Sequence, residues 1–206
     1  MERSAGLYGL LFHPAIYRLF QAAVAGDIHD RFIAEYVRPH PGHKVFDLGC
    51  GTGEILAHLP EVDFLGFDIS ESYISAARAR YGNRGRFVCG DVGLTTIDEE
   101  ASTFDIALAN GVVHHLDDPT AIKLFELAAK ALKPGGRLIT FDGCYTPEQN
   151  RRSRWVVSRD RGAHVREVEH YLKLASSVFP VVKPAIRHDL IRIPYTHLIM
   201  ECQRGE

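Results

Sequence analysis

Gly49, Gly51 and Gly53 stand directly behind the apolar run "HKVFDL", which also carries an aspartate, Asp47. Glycine lets the backbone take positive φ and lets a ligand approach where a Cβ would intrude. A dinucleotide fingerprint needs G-x-G-x-x-G, so that a pyrophosphate meets a helix N-terminus. Here the order is G-x-G-x-G, and Glu54 stands where the third glycine belongs, a carboxylate that would meet phosphate badly. No Gly-Lys-Ser/Thr follows, which excludes a P-loop. An acid at a strand end beside the glycines favours a cationic group over a phosphate. The glycines alone leave the ligand open.

Other residues of chemical promise are scattered. His114 and His115 are adjacent and point differently, so at most one lines a pocket; each is a candidate general base. His13 and His164 are further candidates. No H-x-x-x-H pair or carboxylate cluster calls for a metal, and Asp142 alone is too little. The four cysteines, Cys50, Cys89, Cys144 and Cys202, form no CxxC pair, which argues against a zinc site or disulfide scaffold and fits a reducing compartment. Arg151, Arg152, Arg154, Arg159 and Arg161, with Asp160 among them, read either as a local anion site or as a solvated loop.

The elements that must position these groups follow from periodicity. With 206 residues, 46% hydrophobic and 24% charged, the chain suits one soluble domain. A net charge of -2 gives no broad attraction to nucleic acid or anionic membrane. The apolar N-terminal residues are interrupted by His13, Arg18 and Gln21, so no membrane span or signal peptide is expected, and cytoplasmic residence is the default.

Helical spacing covers the first 37 residues, with a break near Pro14, and "PHPG" ends it. Strands are then expected at 44–48, 64–67, 86–89, 104–109 and 137–141. Helices are expected at 53–58, 70–80 and 119–132, with Ser70 as N-cap and "KPGG" as the turn into the fifth strand. Such βαβαβ alternation makes a mainly parallel sheet covered on both faces. In the tail, a short helix within "PEQNRRSRWVVSR", a helix at 167–177 and two extended runs, 181–190 and 195–202, are expected. The two runs are too close for a crossover and should pair antiparallel.

Taken with the spacing of its other motifs, the sequence resembles the class I S-adenosylmethionine-dependent methyltransferases over residues 37–141. "VFDLGCGTG" looks like the family's first motif, "FLGFDIS" its second strand, "FVCGDV" its third, "FDIALANGVVHHLDDP" its fourth, and "LKPGGRLITFD" its turn and fifth strand. The resemblance implies a doubly wound, mainly parallel seven-stranded sheet with an antiparallel last strand. It implies S-adenosylmethionine as cofactor, with S-adenosylhomocysteine as product. Asp47, Gly49, Cys50, Gly51, Thr52 and Gly53 would embrace the methionine part, and Asp68 would bond the ribose hydroxyls with Ile69 against the adenine. Asp91 would face the adenine amino group and Val92 the ring, while Asn110 and Gly111 border the methyl. In the family a histidine at the place of His115 is often kept for packing, so a structural role stands beside a catalytic one for both histidines.

Acceptor specificity should come from outside that core. Residues 1–36 form an expected helical lid, with Tyr8, Phe12 and Tyr17 on the acceptor unless these aromatics simply pack on the sheet. Residues 37–142 form the cofactor core. Residues 143–206 supply the acceptor side, where Tyr145, Trp155 and His164 are candidate contacts and the arginines suit a carboxylate or phosphate. The expected activity is methyl transfer to O, N or C of a small acceptor. A catalytically silent cofactor-binding module and, further off, an NAD-dependent oxidoreductase are the competing readings. Oligomeric state is not legible.

Overall fold

Five short apolar runs become the parallel strands of one sheet. A computed structural model describes residues 28–206 apart from 93, 95, 96, 98, 99 and 161. Tyr8, Phe12, Tyr17, His13 and the rest of the expected lid before residue 28, like Arg161, lie outside the described residues. The strands are β1 (Lys44–Leu48), β2 (Asp63–Asp68), β3 (Gly85–Cys89), β4 (Phe104–Asn110), β5 (Leu132–Tyr145), a two-residue β6 (Arg166–Glu167), β7 (Val181–Arg187) and β8 (His197–Gln203). Their order is β3-β2-β1-β4-β5-β8-β7, with β6 pairing off the end of β5. β1 to β5 are mutually parallel; β8 runs antiparallel to both β5 and β7, as the short gap in the tail requires.

The chain winds outward from β1 to β3 and then returns to place β4 on the other side of β1. That reversal opens a crevice at the carboxyl ends of β1 and β4, where ligands of such sheets collect. The glycine run leaves β1 at this crevice.

Helices close both faces. One face carries α1 (Ile28–Phe32), continued by a π-turn at Ile33–Val37, and α2 (Glu71–Tyr81); the other carries α3 (Asp118–Ala131) and α5 (Val168–Ser176). The Ser70 hydroxyl caps α2 by accepting from Tyr73 N, and Asp117 caps α3 through Thr120 N. The first helix ends at Arg38, which turns left-handed at φ 46°. The Arg137 guanidinium donates to the last carbonyls, those of Tyr36 and Val37. Beneath α3 lies an aromatic stack, Phe46 on Phe104 with Phe67 edge-on, all nearly or wholly buried.

One expected boundary is corrected. "KPGG" is no turn before the strand but an irregularity inside β5: pairing passes from Phe104–Leu132 directly to Ile106–Arg137. The reason is that the flanking groups keep partners across the bulge, Lys133 Nζ on Asp105 at 2.6 Å and Arg204 N on Gly136 O at 2.8 Å. Gly135, at φ 74°, absorbs the bend.

Phe46→Ala should cost about 3–5 kcal/mol, through lost transfer energy and the cavity left among Phe67 and Phe104. Differential scanning calorimetry should register it as a Tm lower by roughly 10 °C; an unchanged Tm would mean that the stack does not carry the core.

Candidate active site

The loop behind β1 takes its shape from three glycines at positive φ: Gly49 at 80°, Gly51 at 54° and Gly53 at 73°. Gly49 and Cys50 donate their amides to Phe67 O, at 2.7 and 2.8 Å, which straps the loop to β2. At the end of β2 the Asp68 carboxylate accepts from Gly51 N at 2.9 Å and Ser70 N at 2.8 Å. One side chain therefore fixes both the glycine loop and the start of α2. The glycines differ in what surrounds them. A Cβ on Gly49 would lie 2.4 Å from Val112 Cγ2, whereas one on Gly51 would meet nothing within 4 Å.

The loop walls a cavity of about 170 Å³, lined also by Asp47, Asn110 and Phe141 and by Phe32 of α1. Asp47 is 2% exposed, and its Oδ1, like Asn110 Oδ1, has no hydrogen-bond partner among the described residues. Burial, and then the nearby Asp68 charge, push the Asp47 carboxyl up to about 7. Glu54 also lines the cavity, but it faces Arg80 at 2.7 Å. Its charge is thus compensated from α2.

Among the residues expected to hold a cofactor, Asp47, Gly49, Cys50, Gly51, Thr52 and Asn110 meet in this cavity. Asp68, Ile69, Asp91 and Val92 stand outside it, at the adjoining ends of β2 and β3. Ile69 is 71% exposed and Asp91 is exposed, while Val92 packs against the core. Gly53 sits under the loop against Phe87, and Gly111, at φ 69°, donates to Phe141 O at 2.7 Å. Sequence reasoning missed Phe32 and Phe141 of the cavity wall; beyond β3, Leu94 is exposed. Phe141 was within reach of it, since it ends the apolar part of a strand on the ligand side of the sheet. Leu94 carried no periodic signal.

The two histidines separate. His115 is exposed, whereas His114 is buried beneath it, with ring centroids 4.3 Å apart. His114 Nδ1 lies 2.8 Å from Asp142 Oδ1, and Nε2 lies 3.3 Å from Asp160 Oδ1. Asp142 also accepts from His114 N at 3.1 Å, and Asp160 accepts from Tyr195 Oη at 2.6 Å and Gly162 N at 2.8 Å. Burial disfavours the charged ring, but the two carboxylates outweigh it and push the His114 pKa up to about 9. Burial works against the Asp160 charge too, yet its bonds to His114 and Tyr195 hold that carboxyl well below the usual range. His114 is thus an imidazolium near neutrality, tying the loop after β4 to β5 and to the segment before β6. His197 next to it, stacked on Phe141 and tilted against Tyr195, stays neutral, its pKa lowered to about 3 chiefly by burial.

On the expected acceptor side, Tyr145 and Trp155 come together in a second, open groove with Arg151, Arg154 and Ser158. His164 lines neither cavity nor groove; it is exposed, and its amide donates to His114 O at 2.9 Å. Among the described residues no group of three or more His, Cys, Asp or Glu side chains is placed to hold a metal ion, and no helix is long and apolar enough to cross a membrane.

Comparison with known proteins agrees with this geometry. Residues 45–136 match the methyltransferase domain family. Over 137 residues, 65% of this chain, the sequence is 33% identical to phosphoethanolamine N-methyltransferase 1 of Triticum aestivum, of which the match covers 27%. Over 102 residues, 48% of the chain, it is 39% identical to trans-aconitate 2-methyltransferase of Rhizobium meliloti, covering 37% of that protein. The fold is shared with phosphoethanolamine N-methyltransferase 2 of Haemonchus contortus, solved with S-adenosyl-L-methionine: TM-score 0.73 and 15% identity over 99% of this chain and 61% of the other. The chain thus spans from 27% to 61% of these proteins, less than two thirds of each.

The raised His114 pKa has a signed consequence. A group protonated more tightly in the folded state adds stability that is complete below its unfolded pKa, 6.5, and is lost as pH rises through the folded value near 9. Urea unfolding should show a loss on the order of 3 kcal/mol between pH 6.5 and 9.5. In His114→Asn most of that slope should disappear, leaving the smaller part due to Asp47 below about pH 7 and to the buried cysteines near pH 9; an equal slope in both proteins would assign it to another group.

Proposed function

The chain belongs to the class I S-adenosylmethionine-dependent methyltransferases, and from that premise we propose that it binds S-adenosylmethionine in the Asp47 cavity and transfers the methyl group to O, N or C of a small acceptor. The observation that carries the reading is the cavity at the sheet's reversal point. It joins a backbone turned open at three positive-φ glycines to a buried carboxylate oxygen that no group among the described residues satisfies. An orphaned acceptor of that kind is costly unless a ligand supplies the donor. The ammonium of the cofactor's methionine part is such a donor, and Asn110 Oδ1 offers it a second acceptor.

The other named residues fit the remaining parts. Asp68 has lone pairs left for a ribose diol after its two bonds to backbone amides. Exposed Ile69 and Leu94 provide apolar surface for a base, with Asp91 and Val92 beyond. Glu54 remains the argument against NAD, because a pyrophosphate would have to displace its pairing with Arg80.

When bound, S-adenosylmethionine supplies an electrophilic methyl on a sulfonium, and positioning with exclusion of water supplies much of the rate. Here Phe32 and Phe141 keep one wall of the cavity dry, and Gly111 lets the chain pass close beside it. His114, already protonated and held at both nitrogens, has no vacant site to take a proton from an acceptor; its role is to fix the loop that ends β4. Of the adjacent pair, that leaves His115 as a candidate general base, and His29 of α1 lines the cavity itself. The two named relatives methylate different kinds of acceptor, so they leave the acceptor atom open.

Isothermal titration should give micromolar S-adenosylmethionine binding, on the order of -8 kcal/mol, with no measurable NAD binding. Tight NAD binding would sink the assignment, and cofactor binding without product from a broad metabolite pool would favour the silent module. Asp68→Ala should weaken binding by about 1.5–3 kcal/mol.

The two loop glycines should separate stability from affinity. Gly51→Ala, with open space at its Cβ, should cost roughly 1–2 kcal/mol of stability from its φ alone, yet weaken the cofactor at least tenfold, about 1.4 kcal/mol. Gly49→Ala should lower Tm further, since its Cβ strikes Val112. Normal affinity in Gly51→Ala would place the ligand elsewhere.

A further inference from the structure

The arginines that follow β5 contrast with other guanidiniums among the described residues, which face carboxylates or carbonyls: Arg80 on Glu54, Arg166 on Asp118, Arg187 on Glu35 and Asp189, Arg137 on the carbonyls of Tyr36 and Val37. Arg151, Arg152, Arg154 and Arg159 are exposed and have neither a carboxylate nor a carbonyl acceptor among the described residues. They lie on or just past α4 (Arg151–Val157), capped by Asn150 through Ser153 N at 2.8 Å. Helical spacing puts Arg151, Arg154, Trp155 and Ser158 on one face, and with Tyr145 they line the open groove. Arg154 lies over the Tyr145 ring at 5.0 Å and Arg159 over Trp155 at 5.2 Å. Stacking of this kind orients a guanidinium while leaving its N–H donors unspent.

The helix is anchored from below. Buried Ser153 shares a hydrogen bond with Thr196 at 2.8 Å, and Gln149 Nε2 reaches both Cys144 O and Ser153 Oγ. The outward arginines are therefore presented by a rigid element. Their position relative to the cavity follows from strand parity. Phe141 and Tyr145 are four residues apart on β5 and so lie on one face of the sheet, while Cys144 belongs to the core on the other. At the strand rise per residue, Tyr145 lies about 13 Å beyond Phe141, at the carboxyl end of the strand. Phe141 lines the cofactor cavity; Tyr145 lines the groove.

We propose that this groove takes the carboxylate or phosphate of an elongated acceptor whose nucleophile reaches the cavity beside Phe141. The proposal rests on the methyl-transfer reading above. Two guanidiniums with free donors supply the oxyanion contacts, and the exposed face of Trp155 covers the adjoining apolar or planar part of the molecule.

Trp155 is the only tryptophan of the chain, so its fluorescence reports on the groove alone. Phenyl phosphate or benzoate should change that signal saturably, with benzyl alcohol at least tenfold weaker. Arg151→Ala/Arg154→Ala should lose the anion response at least tenfold while calorimetry finds S-adenosylmethionine bound as in the parent. An equal response to benzyl alcohol, or an unchanged double variant, overturns the proposal. So does a response to oligothymidylate with none to phenyl phosphate, which would make the patch a polyanion surface. A turnover panel of phenols and primary amines, matched with and without a distal carboxylate, tests the link to the acceptor. Preference for the anionic members, lost in the double variant through KM, supports it; turnover confined to neutral members overturns it. Failure of the parent to bind S-adenosylmethionine would instead bring down the methyl-transfer reading, whatever the fluorescence shows.

Discussion

Everything at the site depends on β1 being flanked by parallel partners on both sides. Asp47 stands opposite Gly66 of β2 and Leu108 of β4, so the ends of all three strands converge where the glycine loop leaves. That register demands small residues beneath the loop: a Cβ on Gly66 would lie 2.8 Å from Cys50 Sγ. It also brings Asp68 within reach of Gly51 N, which lets one carboxylate hold the loop open and start a helix at once. Shift the register by one residue and each of these contacts is lost, because alternate side chains would change faces.

Two buried charge problems are solved in opposite ways. Around His114 the ring's charge is compensated internally, by two carboxylates that a tyrosine hydroxyl and backbone amides help to hold, although Asp142 Oδ2 is itself left without a partner among the described residues. Such a network rigidifies what it joins, here the loop after β4, the end of β5 and the segment before β6. At Asp47 no partner stands among the described residues, and burial raises its pKa instead. The first arrangement is structural, and the second is characteristic of a place meant for a ligand.

The arginine groove repeats that division. α4 spends its buried polar groups, Ser153 and its neighbour Gln149, on β5 and the approach to β8, and leaves its arginines facing outward. A cavity fixed by the sheet and a groove fixed by a short helix thus share one face, with β5 setting the spacing between them.

The strands, the helix cap at Ser70, the glycine loop and the antiparallel end of the sheet were legible in the sequence. Each is written in local terms: apolar periodicity, a hydroxyl before a helix, or glycine where φ must be positive. The bulge at "KPGG" was not legible, because whether a Pro-Gly segment turns or bulges depends on partners such as Asp105 and Arg204 that are distant in sequence. Nor could adjacency tell His114 from His115. Their different fates were decided by Asp142 and Asp160, which β5 and the segment before β6 bring to one ring and not the other. The sequence by itself determined which residue types stand at the strand ends. Only the tertiary structure decided which of those charges are satisfied and which are left for a ligand, because compensation acts through space over a few ångströms and takes no account of distance along the chain.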